Sequence, residues 1–94
     1  MTTFRIYTEK KNVKAVSQIV SEHYGGFSIF FGLGCWEGKR EKSMCIEIIT
    51  EPKGGVQRTL DYGTVRLICK KIRGLNRQDA VMFTTTTLDK MEVI

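Results

Sequence analysis

The stretch 27–50, FSIFFGLGCWEGKREKSMCIEIIT, leaves few options to a chain of 94 residues. Two apolar runs rich in Phe and Ile flank a short segment carrying Gly38 and five charges: Glu37, Lys39, Arg40, Glu41 and Lys42. β-Branched and aromatic side chains pack well on a pleated surface and lose rotamer freedom in a helix. Met44, Ile46 and Ile48 alternate with Cys45, Glu47 and Ile49, the period-2 pattern of a strand with one buried face. The sequence therefore predicts an antiparallel hairpin with strands over 27–33 and 43–50. The charged, glycine-bearing segment between them is its turn.

Around this hairpin the apolar period switches between 2 and 3.6. Phe4 and Ile6 against Arg5 and Tyr7 predict a first strand over 3–9. Asn12 is placed to cap a helix, its side chain accepting from the free N–H groups of the first turn. Val13, Val16, Ile19, Val20 and His23 follow on helical spacing, and Gly25-Gly26 supply the stop. After a loop over 51–55, the residues Val65, Ile68, Cys69, Ile72 and Leu75 share one helical face. They predict a helix over 64–73, extensible back towards Arg58, with Gly74 as its cap. Gly63 opposes the extension by about 1 kcal/mol relative to Ala. Val81 and Phe83 against Met82 and Thr84 predict a last strand over 80–87, with 88–94 either continuing it or adding an edge strand. The order is β-α-β-β-α-β. That is a ferredoxin-like α+β fold, a single domain over 1–94 with two helices on one face of a four-stranded antiparallel sheet.

Composition narrows the classes of function. Apolar content of 41% and charged content of 27% are ordinary for a globular chain. No run reaches the roughly 18 apolar residues of a membrane span, and the first residues, MTTFRIYTEKK, hold no apolar signal core. Three widely spaced cysteines, Cys35, Cys45 and Cys69, suit reduced thiols in a cytoplasm better than a disulfide framework. The net charge of +5 permits an anionic partner without requiring one.

If Phe4, Ile6, Met44, Ile46, Ile48, Val81 and Phe83 face the helices, the opposite face carries Tyr7, Phe30, Cys45, Glu47, Ile49 and Met82. That face is too apolar for an ordinary solvated surface. Self-association as a dimer or trimer through Tyr7, Phe30, Glu47, Ile49 and Met82 is the expectation; a C-terminal segment folded over the face is the alternative.

The hairpin also carries a resemblance. Trp36-Glu37-Gly38-Lys39 opening into an apolar strand resembles the second hairpin of CutA-like divalent-cation tolerance proteins. Gly32-x-Gly34-x-Trp36-x-Gly38, followed by Glu41-x-Ser43 and an apolar strand, equally resembles a bacterial domain family of unknown function. The run 76–81, Asn-Arg-Gln-Asp-Ala-Val, looks like that family's approach to its last strand. The resemblance covers most of the chain in element order and is sharp over about 20 residues. It implies a ferredoxin-like fold and, from CutA trimers, an oligomer. It carries little chemistry, since the first half lacks a CutA-type cysteine.

Constellations that carry chemistry are few. His23 is the lone histidine, and no C-x-x-C or H-x-x-x-H spacing is present, so no metal site is indicated. No catalytic pairing stands out, and no Walker loop or G-x-G-x-x-G implies a cofactor. Glu41 and Ser43, two apart on a strand, share a face. They can orient a ligand hydroxyl or simply satisfy the hairpin backbone and the Trp36 indole. From Tyr62 to Gln78 there is no acid, whereas Arg66, Lys70, Arg73 and Arg77 recur at helical spacing. A solvated basic helix face is the plain explanation. Anion capture is the pointed one, since Arg suits bidentate phosphate recognition and an aromatic plane beside cations can hold a base.

The site expected from sequence is therefore Trp36, Lys39 and Arg40 on the hairpin with Arg73 and Arg77 at the helix end. The chain reads as a small non-catalytic oligomeric protein that captures an anionic small ligand. A nucleotide signal is the candidate ligand and an anti-defence protein of a phage or other mobile element the candidate setting. The alternatives are a protein-binding inhibitor or adaptor using the apolar sheet face, and a weak nucleic-acid binder without sequence specificity. No membrane partner is expected.

Overall fold

A computed structural model of the chain describes residues 1–51, 54–88 and 92–94. Its elements are β1 (Thr2–Glu9), α1 (Val13–Ser21), β2 (Ser28–Trp36), β3 (Lys39–Thr50), α2 (Gly55–Asn76) and β4 (Met82–Thr87). The sheet order is β2-β3-β1-β4, with every neighbouring pair antiparallel. This is the ferredoxin-like arrangement anticipated from the periodicity.

The core forms where the two amphipathic helices meet one sheet face. Phe4, Ile6, Met44, Ile46 and Ile48 come from the strands, Val16 and Val20 from α1, and Val65, Ile68, Cys69 and Ile72 from α2. All are buried. Removing a side chain of this size from water stabilises by about 1.5–3 kcal/mol. Val81 and Phe83 pack against the cluster from the side, Phe83 edge-on to Tyr62 with ring centroids 5.3 Å apart. Between the helices, Tyr24 donates to buried Asp61 at 3.0 Å. Burial first, and then that bond, push the Tyr24 phenol well above its ordinary pKa.

Several boundaries differ from the sequence expectation, each for a local reason. The hairpin is longer, because its turn is only Glu37-Gly38. Both have positive φ, 49° and 78°, the backbone of a two-residue turn whose twist matches its strands. Lys39 to Lys42 are therefore strand residues. Asn12 precedes α1 but is left-handed (φ 52°, ψ 43°) and makes no side-chain cap. Its amide instead donates to Asn76 Oδ1 at 2.9 Å. Helix α1 ends at Ser21, before the Gly25-Gly26 pair. Helix α2 starts nine residues earlier than 64 and absorbs Gly63 and Gly74 into its body; Arg77, left-handed at φ 53°, is its C-cap. Tertiary burial of Val65, Ile68 and Ile72 outweighs the glycine penalties. Strand β4 begins at Met82 rather than 80. Leu88 extends its pairing through an N–H bond to the Met1 carbonyl (2.8 Å). The expected continuation over 89–91 lies outside the described residues, and 92–94 form no strand.

Candidate functional site

The register places every second side chain of the sheet on the face away from the helices. One row across all four strands reads Phe30, Cys45, Tyr7, Met82. On one side of it lies Ser28, Glu47, Arg5, Thr84, in which Arg5 Nε donates to Glu47 at 2.9 Å. That bond, with the attraction of the carboxylate, raises the Arg5 pKa further. On the other side come Gly32, Ser43 and Glu9, then Gly34 opposite Glu41, then Trp36 opposite Lys39. Here the sheet face loses its bulk. Two alternate glycines on β2 leave a depression beside the Trp36 ring, which is 64% exposed. A Cβ at Gly34 would already touch Ser43 at 3.4 Å.

The connection from α2 to β4 closes the other side. It is held by buried Asn76, which is 1% exposed. Its carbonyl accepts from Lys11 Nζ at 3.0 Å, and its side-chain amide donates to the Lys11 carbonyl at 3.4 Å and to Gln78 Oε1 at 3.3 Å. Thr8 donates its hydroxyl to the same Gln78 oxygen. These bonds tie the β1–α1 turn to the end of α2, so that Arg77, Gln78 and Asp79 stand over the open sheet face.

The result is a cleft of about 380 Å³. Its floor is Tyr7, Gly34, Ser43 and Met82; Trp36 and Cys35 form one wall and the run 77–80 the other. Glu9 and Glu41 face into it. They sit diagonally on adjacent strands, since Glu9 opposes Ser43 and Glu41 lies two residues before it. Partial burial, then a hydrogen bond to Glu9, then repulsion between the two charges raise the Glu41 pKa above its usual 4.5. Counting formal charges on the lining, Glu9, Glu41 and Asp79 oppose a single Arg77. Among the described residues no cluster of three His, Cys, Asp or Glu side chains is arranged to hold a metal ion.

Two of the residues expected from sequence, Trp36 and Arg77, meet in this cleft within one subunit. Lys39 and Arg40 follow the turn on β3 and are exposed; Lys39 opposes Trp36 and Arg40 opposes Cys35, and neither lines the cleft. Arg73 belongs instead to a separate shallow groove with Arg66 and Lys70. Glu41 and Ser43 do share the face that their spacing implied. Sequence reasoning missed Glu9, Gln78 and Asp79. Glu9 could have been found by continuing the first strand's alternation outward from Arg5 and Tyr7; Gln78 and Asp79 depend on the buried Asn76, which has no sequence signature.

Element order and sheet order put the chain among the ferredoxin-like α+β domains. Within that class it is similar to a DUF3240 family protein from Shewanella baltica OS155, with a TM-score of 0.69 and 12% identity over 99% of this chain and 94% of that one. It is also similar to a phage SAM lyase in the apo state, with a TM-score of 0.67 and 19% identity over 97% and 92% of the two chains. The likeness extends to a phage SAM lyase in complex with S-methyl-5′-thioadenosine, with a TM-score of 0.61 and 19% identity over 90% and 79%. At such identities the likeness shows the fold alone. No protein-family model and no curated protein matches the chain. The hairpin's resemblance to a small family of unknown function thus agrees with a structural neighbour, and its resemblance to CutA is not shown.

Proposed function

We propose that this chain is a small binding protein that captures a nucleoside-type ligand in the outer-face cleft. The cleft itself is the observation that carries the reading. Its volume of about 380 Å³ lies in the range of small-molecule sites. The exposed Trp36 ring offers a stacking plane for a base. Glu9 and Glu41 can accept the paired hydroxyls of a ribose, a carboxylate role familiar from dinucleotide sites. Arg77 offers its fork to a carboxylate or a single phosphate. Three acids against one arginine disfavour a polyphosphate and favour a neutral or cationic nucleoside. The ligand proposed here is thus less anionic than composition suggested. A similar fold binds S-methyl-5′-thioadenosine in a phage protein, which supports the ligand class and the mobile-element setting. The apolar residues Phe30, Cys45 and Ile49, which do not line the cleft, would then join a second copy of the chain beside it.

Calorimetric titration with S-methyl-5′-thioadenosine, S-adenosylmethionine, adenosine and ATP tests this. The thionucleosides should bind and ATP should bind least. Arg77→Ala should weaken binding by about 1.5–3 kcal/mol, the scale of a hydrogen bond to a charged group, and Trp36→Ala by about 1–3 kcal/mol, the scale of base stacking. A parent protein that binds none of the four, or variants that bind as well as the parent, would sink the reading and leave the protein-binding alternative.

A second reading, turnover, has one observation behind it: Glu9 and Glu41 sit diagonally on adjacent strands in the cleft, and a carboxyl pair can pass a proton. Incubation with S-adenosylmethionine and chromatography for S-methyl-5′-thioadenosine distinguishes it. Product formed by the parent and lost in Glu41→Gln would make the chain an enzyme.

A further inference from the structure

The basic face of α2 takes no part in that cleft. Arg66, Lys70 and Arg73 line, with Val81 and Phe83, a groove of about 180 Å³ between α2 and β4. All three cations are exposed and none makes a salt bridge among the described residues. Lys71, on another side of the same helix, does find an acid, Glu22, at 3.7 Å. Like charges at this spacing repel, so the face is stabilised by an anion laid along it.

The groove opens at the free edge of the sheet. Strand β4 is terminal in the sheet order and pairs only with β1 among the described strands. The Leu88 N–H bonds to the Met1 carbonyl. By the alternation of an antiparallel ladder, Thr86, Thr84 and Met82 also turn their backbone groups to β1, and Thr87, Thr85 and Phe83 turn theirs outward. Strand β4 is MFTTTT. It holds no charge, proline or glycine, the devices that usually discourage pairing along an edge.

We propose that β4 and α2 together receive an extended, acidic segment of a partner protein as a fifth strand. Side chains of an added strand alternate between the two faces, about 6.7 Å apart on each. Those on the helix side come to lie beneath Arg66, Lys70 and Arg73, which advance by about 6 Å and then about 4.5 Å along the helix axis. Acids at alternate positions therefore meet cations while the peptide backbone meets the Thr85 and Thr87 edge, the strand-addition mode of peptide capture. A nucleic-acid backbone has comparable charge spacing but cannot continue the ladder. Phe83 is half-buried against the edge of Tyr62, which leaves the exposed Tyr62 as the one ring beside the groove among the described residues, short of a run of stacking platforms.

The test uses the full chain and a short fluorescein-labelled peptide alternating glutamate with valine, read by anisotropy. The parent should bind it, more weakly as salt rises, and should not bind the lysine–valine counterpart. Lys70→Glu should weaken binding at least about tenfold, the scale of one lost charge-assisted bond. Thr85→Pro removes an outward N–H without removing a bond to β1, and should do the same with an unchanged circular dichroism spectrum. If that variant misfolds, the glutamate–valine peptide N-methylated on alternate residues provides the same block from the other side, and it should not bind the parent. Failure of the parent to bind the peptide, or undiminished binding of the N-methylated peptide, overturns the proposal. So does a single-stranded DNA oligomer that binds better than the peptide and is indifferent to Thr85→Pro. The proposal is independent of the nucleoside reading, because none of these variants touches the outer-face cleft.

Discussion

The two faces of this sheet are built from the same strands and have opposite fates. On the helix side, Ile6, Ile46 and Ile48 are fully buried. One residue along, Tyr7, Ile49, Phe30 and Met82 are 37%, 42%, 55% and 57% exposed. Hydrophobicity does not separate the two faces, since Ile, Phe and Met occur on both, Phe4 and Met44 lying beside the buried isoleucines. What separates them is whether an amphipathic helix exists to cover them. One face takes the buried sides of both described helices, and the other is left with apolar side chains, an ion pair and a cleft. The difference teaches that burial follows the helices, and it is the basis for proposing association at the exposed apolar row and ligand capture at the polar end, where glycines replace bulk.

The largest expected effect tests that contrast directly. Ile46→Asp places a charge in the dry core and should unfold the domain, a loss of several kcal/mol, beyond about 4. Ile49→Asp, three residues away on the same strand, should change denaturant stability by only about 0.5 kcal/mol. On the proposal of self-association, it should nevertheless sediment as a monomer under conditions where the parent sediments as a dimer or larger. Equal destabilisation by both would show that the outer face is a second core. A monomeric parent would show that it joins no second copy.

Next in size is the support of the cleft. Asn76→Leu removes a buried amide that joins Asn12, Lys11 and Gln78, and leaves those groups unpaired. The expected loss is about 1–3 kcal/mol in denaturant unfolding. Nucleoside binding should weaken as the run 77–80 loosens. Stability lost with binding intact would mean that the connection does not shape the site.

How much of this was legible beforehand follows from the physics of each part. Alternation at Met44 to Ile49 and helical spacing at Val65 to Ile72 report burial directly, so element order and core were readable from pattern alone. The turn was not, because Glu37 adopts a left-handed backbone that composition places in a loop of charged residues. The site was half legible. Trp36 and Arg77 stand out by residue type, whereas the joining of their elements depends on the buried bonds of Asn76. The cations Arg73 and Arg40 were grouped with them by charge, and charge alone carries no information about which side of a sheet a side chain occupies.

The thiols sharpen the comparison further, since one cysteine lies in each environment. Cys35 is exposed in the cleft wall, Cys45 half-buried in the apolar outer row, and Cys69 buried on the inner side of α2. Burial pushes the Cys69 thiol up to about 11. It is also the leading cause of the rise at Cys45, which nearby Arg5 partly opposes. Since the thiolate is the reactive form, labelling should proceed in the order Cys35, Cys45, Cys69. Ile49→Asp should accelerate Cys45 alone, if a second copy covers that row. An unchanged Cys45 rate in that variant would mean that no copy shields it.

The smallest effect concerns Glu41, and its sign is fixed by the raised pKa. A carboxyl with a folded pKa above its unfolded value of 4.5 binds its proton more tightly in the folded state. Its contribution to stability is therefore fully present below that unfolded pKa and is lost as pH rises through the folded one. At neutral pH the Glu9–Glu41 pair is a repulsion that the fold tolerates. Glu41→Gln keeps the shape and removes the charge, so the variant should melt slightly higher than the parent at pH 7. The gain should vanish below about pH 4.5, where the parent's carboxyl is protonated in both states. Binding should move the opposite way. A ligand that uses the pair as hydroxyl acceptors, or that carries a positive charge, should bind the parent more tightly as pH rises through the Glu41 titration, and Glu41→Gln should flatten that rise. Stability gained together with affinity lost is the signature of charge held at a site for function. A variant that is neither stabilised at pH 7 nor weakened in nucleoside binding would show that the carboxyl pair belongs to the solvated edge of the sheet rather than to the cleft.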